Sequence, residues 1–190
     1  MPDHRLNSLQ SPSAWVQRWQ SLAAAGCEVL DLACGEGRHA RYLAALGHRV
    51  LAIDRDPQAL TLLTGVEGVE TLEADLETDG WPLGARRFGL VVVTNYLHRP
   101  LLPAIEGAVR DDGLLVYETF ARGNERFGKP ANPAFLLEPG ELLEAVQARL
   151  RVIAFEDLYV DAPRPAMVQR IAASGPRFEP GPARPAAAAG

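Results

Sequence analysis

The sequence predicts an α/β fold: a doubly wound, mostly parallel sheet with helices on both faces. From residue 28 onward, strand-like apolar runs alternate with helical patterns, the order that successive βαβ units produce. Several runs are nearly continuous, Leu90-Val91-Val92-Val93 and Leu114-Leu115-Val116 among them, as in strands covered on both faces. Three acids, Asp31, Asp54 and Asp75, stand at the ends of three successive strands.

Residues 1–11 are polar and read as a flexible N-terminus. Ser11-Pro12-Ser13 reads as a helix start, and Trp15, Val16, Trp19 and Leu22 then recur at helical spacing, with Gly26 as a stop. Strands are expected at 28–33, 49–53, 69–73, 90–94 and 114–118, and helices between them at 37–46, 57–64 and 100–109. Ala40, Leu43 and Ala44 share a face of the 37–46 helix, and Gly47 closes it. Asp56-Pro57 opens the next as N-cap and first-turn proline. Residues 120–137 read as a long loop rich in Arg, Gly, Asn and Pro. A helix is expected at 139–149 and two further strands at 152–160 and 167–173. From Gly175 the chain turns to Pro, Gly and Ala, so the expectation is one domain over 12–174 and a disordered tail over 175–190.

Composition excludes several classes. The chain has 190 residues, 47% hydrophobic and 23% charged, which suits one ordinary globular domain. No apolar run approaches the roughly 18 residues needed to span a membrane. The opening MPDHRLNSLQSPS lacks the basic-then-apolar pattern of an export signal, so a cytoplasmic protein is expected. A net charge of -5 argues against duplex nucleic acid as the main partner, because such binders carry a basic face. Cys27 and Cys34 flank one strand, which a disulfide would have to fold back on itself; they read as reduced thiols. His4, His39, His48 and His98 show no metal-ligand spacing, so no metal is expected.

The informative segment is Val29-Leu30-Asp31-Leu32-Ala33-Cys34-Gly35-Glu36-Gly37-Arg38-His39. A strand ends in an acid, turns through glycines and enters a helix. Small residues let the backbone approach a ligand, and the helix start offers unpaired N–H groups. Asp54 closes the next strand 23 residues after Asp31, where an acid accepts the hydroxyls of a ribose; Asp75 follows the third strand 21 residues further on. The bland readings are a packing turn, a helix cap for Asp54 (although Asp56 already suits that role) and a turn residue for Asp75. A dinucleotide site is the nearest competitor. It requires G-x-G-x-x-G, whereas this chain has Ala-Cys-Gly-Glu-Gly-Arg-His-Ala over 33–40. Asp31 would also repel a pyrophosphate, but it suits a cationic amine and sulfonium.

Taken in order, DLACGEGRH, AIDRDP and EADL resemble the motif series of class I S-adenosylmethionine-dependent methyltransferases. The stretch GRHARYLAALGHRVLAID is similar to the small bacterial tellurite-resistance methyltransferases, and the whole resemblance covers roughly residues 28–120. It implies a Rossmann-like fold and S-adenosyl-L-methionine as cofactor. By that resemblance Asp31 lies beside the amino end of the methionine moiety, and Ala33, Gly35 and Gly37 shape the loop around its carboxylate and sulfonium. Asp54 holds the ribose, Arg55 flanks the adenine, Asp75 and the Leu76 backbone meet the adenine amino edge, and Asn95 lies near the transferred methyl. Ala33 departs from the glycine usual in the family, which bears on how closely the ligand approaches.

Methyl transfer from a sulfonium is an in-line displacement from an activated donor, so alignment supplies much of the catalysis. A base is needed only where the nucleophile must lose a proton. Tyr96 and His98, just past the fourth strand, are the catalytic candidates; the alternatives are packing for Tyr96 and a cap or surface position for His98. Asn95-Tyr96-Leu97 lacks the Asn/Asp-Pro-Pro-aromatic signature of many amino-methylating enzymes. The loop carrying Arg122, Arg126 and Lys129 is either a lid for an anionic substrate or a solvated connector. The expected activity is methylation of a small-molecule acceptor, with a soft thiol or metalloid as candidates. The alternative is a non-catalytic methyltransferase-like ligand-binding or interaction protein.

Overall fold

In the computed structural model, residues 11–179 are described. Seven strands form one sheet in the order β3-β2-β1-β4-β5-β7-β6. They are β1 Glu28–Leu32, β2 Arg49–Asp54, β3 Val69–Glu73, β4 Phe88–Thr94, β5 Val109–Phe120, β6 Arg151–Val160 and β7 Ala166–Ser174. The first five run parallel, and β7 lies antiparallel between β5 and β6. The helices are α1 Ala14–Trp19, α2 Arg38–Ala45, α3 Pro57–Thr61, α4 Leu102–Gly107 and α5 Glu141–Val146. Among the described residues no helix is long and apolar enough to cross a membrane.

The alternation of side chains along parallel strands builds two cores. Leu30, Leu32, Ile53, Val91, Val93 and Tyr117 face one way, against Ile105 of α4 and Leu142 and Val146 of α5. Val29, Val50, Ala52, Leu90, Val92 and Val116 face the other, against Trp15 and Val16 of α1, Ala40 and Leu43 of α2 and Leu60 of α3. β3, at one edge of the sheet, is the least covered of the parallel strands, with Glu70, Thr71 and Glu73 in solvent. Strand order reverses between β1 and β4, and in open sheets of this kind the crevice above that reversal takes the ligand.

The expected elements are all present, with different bounds. The Trp15–Trp19 helix ends at Trp19 and passes into a 3₁₀ turn over Gln20–Leu22, well before Gly26. It belongs to the core: the Trp15 indole N–H donates to the Ile171 carbonyl at 3.2 Å and the Arg170 guanidinium lies over its ring. The 57–64 helix keeps α geometry only to Thr61. The 100–109 helix is a 3₁₀ turn at Arg99–Leu101 followed by α4. β5 begins at Val109 rather than Leu114. The polar run Arg110-Asp111-Asp112-Gly113 bulges out of the ladder, so that pairing passes from Phe88–Val109 directly to Leu90–Leu114. Arg110 and Asp112 close the bulge with two hydrogen bonds of 2.9 and 3.0 Å, and a Cβ at Gly113 would stand 2.7 Å from the Phe88 carbonyl oxygen.

The packed chain also runs past the boundary expected at 174. The Gly175 and Arg177 amides donate to the Gly113 and Asp111 carbonyls, and Phe178 is buried against the α1–α2 side of the sheet. The remainder of that tail, 180–190, and residues 1–10 lie outside the described residues.

The N-terminal strap Ser11–Ser13 crosses the carboxyl edge of the sheet. The Ser13 amide donates to His39 Nε2 at 3.1 Å, so the proton sits on Nδ1, 3.4 Å from Thr94 Oγ1 at the end of β4. Ser13 Oγ donates to Glu118 at the end of β5, and Arg38 reaches the Ser11 carbonyl. Burial, with the Arg38 charge adding to it, pushes the His39 imidazole down to about 3. The folded state therefore binds fewer protons at His39 than the unfolded chain, and this contribution to stability is lost as pH falls from about 6.5 towards 3. The destabilisation caused by His39→Asn, measured by chemical denaturation near pH 8, is expected to shrink steadily as the pH is lowered through that window.

Candidate active site

Above the reversal of strand order lies a cleft of about 250 Å³, lined by Ala33, Asp54, Arg55, Ala74, Asp75, Leu76, Glu77, Asn95 and Tyr96. Four strand ends contribute to it, which is why residues remote in sequence converge here. The cleft brings together most of the expected cofactor residues. Ala74 and Glu77 were missed. Their signal was adjacency to Asp75, since a turn that delivers Asp75 delivers its neighbours.

The loop between β1 and α2 is tied down from beneath. The Gly35 amide donates to Asp54 Oδ2 at 2.7 Å and the Asp56 amide to Asp54 Oδ1 at 3.0 Å. Asp54 thus clamps the loop, while Asp56 caps α3 through the Gln58 amide at 2.9 Å, as expected. Each carboxylate oxygen has lone-pair capacity for a second donor, so ribose hydroxyls can still be accepted. Asp75 accepts from the Glu77 amide at 3.0 Å through Oδ1 in an Asx turn, and its other oxygen has no share in that bond.

Backbone strain concentrates at the cleft. Among the described residues, Ala33 with φ 52° and Asn95 with φ 56° are the two non-glycine residues in the left-handed region, and both line it. Such a conformation costs an ordinary residue roughly 1–2 kcal/mol. Gly35 and Gly37 also have positive φ, at 55° and 76°. Their roles differ: a Cβ at Gly35 would meet nothing within 4 Å, whereas at Gly37 it would lie 2.4 Å from a Leu63 methyl. Gly35 keeps space open, and Gly37 lets α2 pack on the end of the α3 segment.

Asp31 lies deeper than its neighbours, 1% exposed, on the same face of β1 as Val29 and under α2. Its Oδ2 has no hydrogen-bond partner. Burial pushes the carboxyl up to about 7, with the Asp54 charge adding to the rise; the Ala40 amide and the Arg38 charge oppose it. An orphaned buried carboxylate oxygen, an open backbone cradle at Gly35 and three acids against one arginine in the cleft suit a ligand with cationic groups and a ribose. This donor set fits S-adenosylmethionine.

The two catalytic candidates separate. Tyr96 lines the cleft, but on the side of Asp75 and Glu77, whose charges add to burial in pushing its phenol up to about 12. Its hydroxyl is buried without a partner, and its carbonyl accepts from Tyr117 at 2.9 Å. His98 is not among the lining residues; its backbone caps the Arg99–Leu101 turn and its side chain makes no cap bond. The 120–137 segment is not an open cationic lid either. Arg122 pairs with Glu138 at 2.7 Å, Arg126 lies over the Phe127 ring, and the Asn124 side chain holds the Pro130 carbonyl. Arg99, a residue with no sequence signal, clamps the same segment through Glu141 and the Ala134 and Leu136 carbonyls.

Residues 29–111 match the family described as a methyltransferase domain. Over that span the chain is similar to methyltransferase domains. The fold is one that several S-adenosylmethionine-dependent methyltransferases of known structure share. Among solved structures, TehB from Haemophilus influenzae is similar at a TM-score of 0.69 and 17% identity over 85% of this chain; the chain spans 61% of that protein. A TehB-like S-adenosylmethionine-dependent methyltransferase from Corynebacterium glutamicum aligns at a TM-score of 0.65 and 21% identity over 92% of this chain and 100% of its own. One from Mesorhizobium loti aligns at 0.64 and 18%, over 85% of this chain and 98% of its own. At these identities the likeness is one of fold. No curated protein matches the sequence.

The two glycines of the turn between β1 and α2 should respond differently to alanine. Gly37→Ala is expected to cost about 2 kcal/mol or more, from positive φ plus the Leu63 clash. Gly35→Ala should cost about 1 kcal/mol from φ alone but lower affinity for S-adenosylhomocysteine at least tenfold by filling the cradle. Denaturation midpoints and calorimetric titration separate the two effects.

Proposed function

We propose that this chain transfers the methyl group of S-adenosylmethionine to a small-molecule acceptor that arrives as a nucleophile without help from an enzyme-held base. S-adenosylmethionine supplies a methyl group already activated on a sulfonium. Asp54 and Asp75 hold its ribose and adenine amino edge, Arg55 and Leu76 flank the base, and Asn95 lies on the side of the reacting methyl. Asp31 and the Gly35–Gly37 turn receive the methionine end.

The observation that carries the acceptor reading is the lining of the cleft. Among the described residues it includes no histidine, lysine or cysteine; its carboxylates are Asp54 and Asp75, which the cofactor takes up, and Glu77 beside Asp75 at the adenine end, and its tyrosine has a phenol pushed up to about 12 on that same side. A hydroxyl or protonated amine would need a base there. A thiolate or a reduced metalloid needs only alignment. The net charge of -5 supports a small acceptor over a nucleic acid. The fold-level likeness to a coclaurine N-methyltransferase bound to N-methylheliamine is compatible with small acceptors.

S-adenosylmethionine and S-adenosylhomocysteine, each at about 100 times its dissociation constant, should each stabilise the chain by roughly 2.7 kcal/mol, a shift of about 5–10 °C in melting temperature, and NAD should give none. Methyl transfer from labelled donor to small thiols should then rise with pH up to the thiol's own pKa and level off above it. A shift with NAD alone would overturn the donor assignment, and turnover only on intact RNA or protein would overturn the small acceptor.

A further inference from the structure

Asp31 is enclosed on every side. From α2 the Arg38 guanidinium and the Ala40 amide face it, with neutral His39 next along that helix. From β2 the Asp54 carboxylate faces it, and Cys34 in the intervening loop keeps its thiol protonated, pushed up by burial and by Asp31 and Asp54 themselves. Arg38 does not belong to Asp31 alone, because it also lies in the field of Glu118 at the end of β5 and donates to the Ser11 carbonyl of the strap. One carboxyl oxygen of Asp31, Oδ2, has no hydrogen-bond partner.

Burying an ionised carboxylate with an unbonded oxygen beside a second acid is costly, and such a group keeps its proton instead. The direction of its titration, pushed up by burial first, agrees with this geometry. In the ligand-free chain this acid is therefore biased toward its neutral form at the place the proposed function gives to the methionine end, where the donor brings an ammonium and a sulfonium. Positive charge arriving near a neutral carboxyl favours its ionised form.

We propose that binding of the cationic donor drives a proton off Asp31 into solvent, so that cofactor uptake and ionisation of this one residue are a single coupled step. The O–H bond of the carboxyl breaks, its electron pair stays on the Asp31 oxygen, and the proton passes to water; nothing is oxidised or reduced. The coupling rests on the reading of S-adenosylmethionine as the donor. Its consequence is a donor affinity that depends on pH within the physiological range. Below the pKa of the empty site each bound ligand must expel a proton, so affinity falls about tenfold for each unit of pH lost, and above it affinity is level.

Calorimetric titration of S-adenosylmethionine, with no acceptor present, into the full chain tests this, near pH 6.5, in phosphate and in Tris. The two buffers differ in ionisation enthalpy, so a released proton appears as a difference in observed heat. The expected result is release of roughly half to one proton per ligand, with affinity rising about tenfold between about pH 5.5 and 6.5 and levelling by about pH 7.5. In Asp31→Asn both the release and the pH dependence are expected to vanish. Buffer-independent heats with binding intact would overturn the proposal, as would unchanged release in Asp31→Asn. If that variant fails to fold, the Asp31 carboxyl ¹³C resonance of the wild type decides. A titration near neutrality that disappears on binding supports the coupling, and one that is unmoved overturns it. An absence of any binding heat would overturn the cofactor reading itself.

Discussion

The hydrogen bond of 2.7 Å from the Gly35 amide to the Asp54 carboxylate holds the two sides of the cleft in register. It joins the turn after β1, a strand at the point where strand order reverses, to the end of its neighbour β2. Everything the cleft offers follows from that tie. The turn has a place from which Ala33 lines the cleft, α2 starts where Gly37 packs on Leu63, and Asp54 is oriented with both oxygens already fixed on backbone amides. An acid held by two amides is ready to accept a ligand's hydroxyls without paying again for its own ordering.

The cost of this arrangement is visible as strain. Ala33 and Asn95 occupy the left-handed region, one at the end of β1 and the other at the end of β4, and both border the cleft. Asparagine tolerates that conformation better than alanine does. Strained backbone survives where the surroundings over-determine it. Here the Cys34 amide bonds the Ile53 carbonyl and the Asn95 amide bonds the Glu118 carbonyl, so neighbouring strands hold both positions.

Around this centre, the charged residues mostly serve the scaffold. Arg99 spans the α4 and α5 sides by gripping Glu141 and two carbonyls, and Arg170 spans β5, β7 and β6 through Glu118 and Glu156. In the 120–137 segment Arg122 pairs with Glu138 and Arg126 lies over the Phe127 ring. What remains for ligands is an acidic cleft, which favours a cationic donor over a dinucleotide.

The sequence by itself determined the local matters. Continuous apolar runs marked the buried parallel strands, because a strand covered on both faces has no polar side to show. Three acids at regular spacing and a glycine turn marked the cleft, because each lies at a strand end and needs only its own segment to be read. The tertiary structure alone decided what depends on neighbours distant in the chain. It placed the Tyr96 hydroxyl among the Asp75 and Glu77 acids and His98 outside the lining, and it left Asp31 Oδ2 without a partner. It also gave the arginines of the 120–137 loop to structure, and carried the packed chain to Phe178 because the β4–β5 bulge offers carbonyls to Gly175 and Arg177. Burial, charge and hydrogen-bond partnership are properties of an assembled neighbourhood, and no window of sequence contains that neighbourhood.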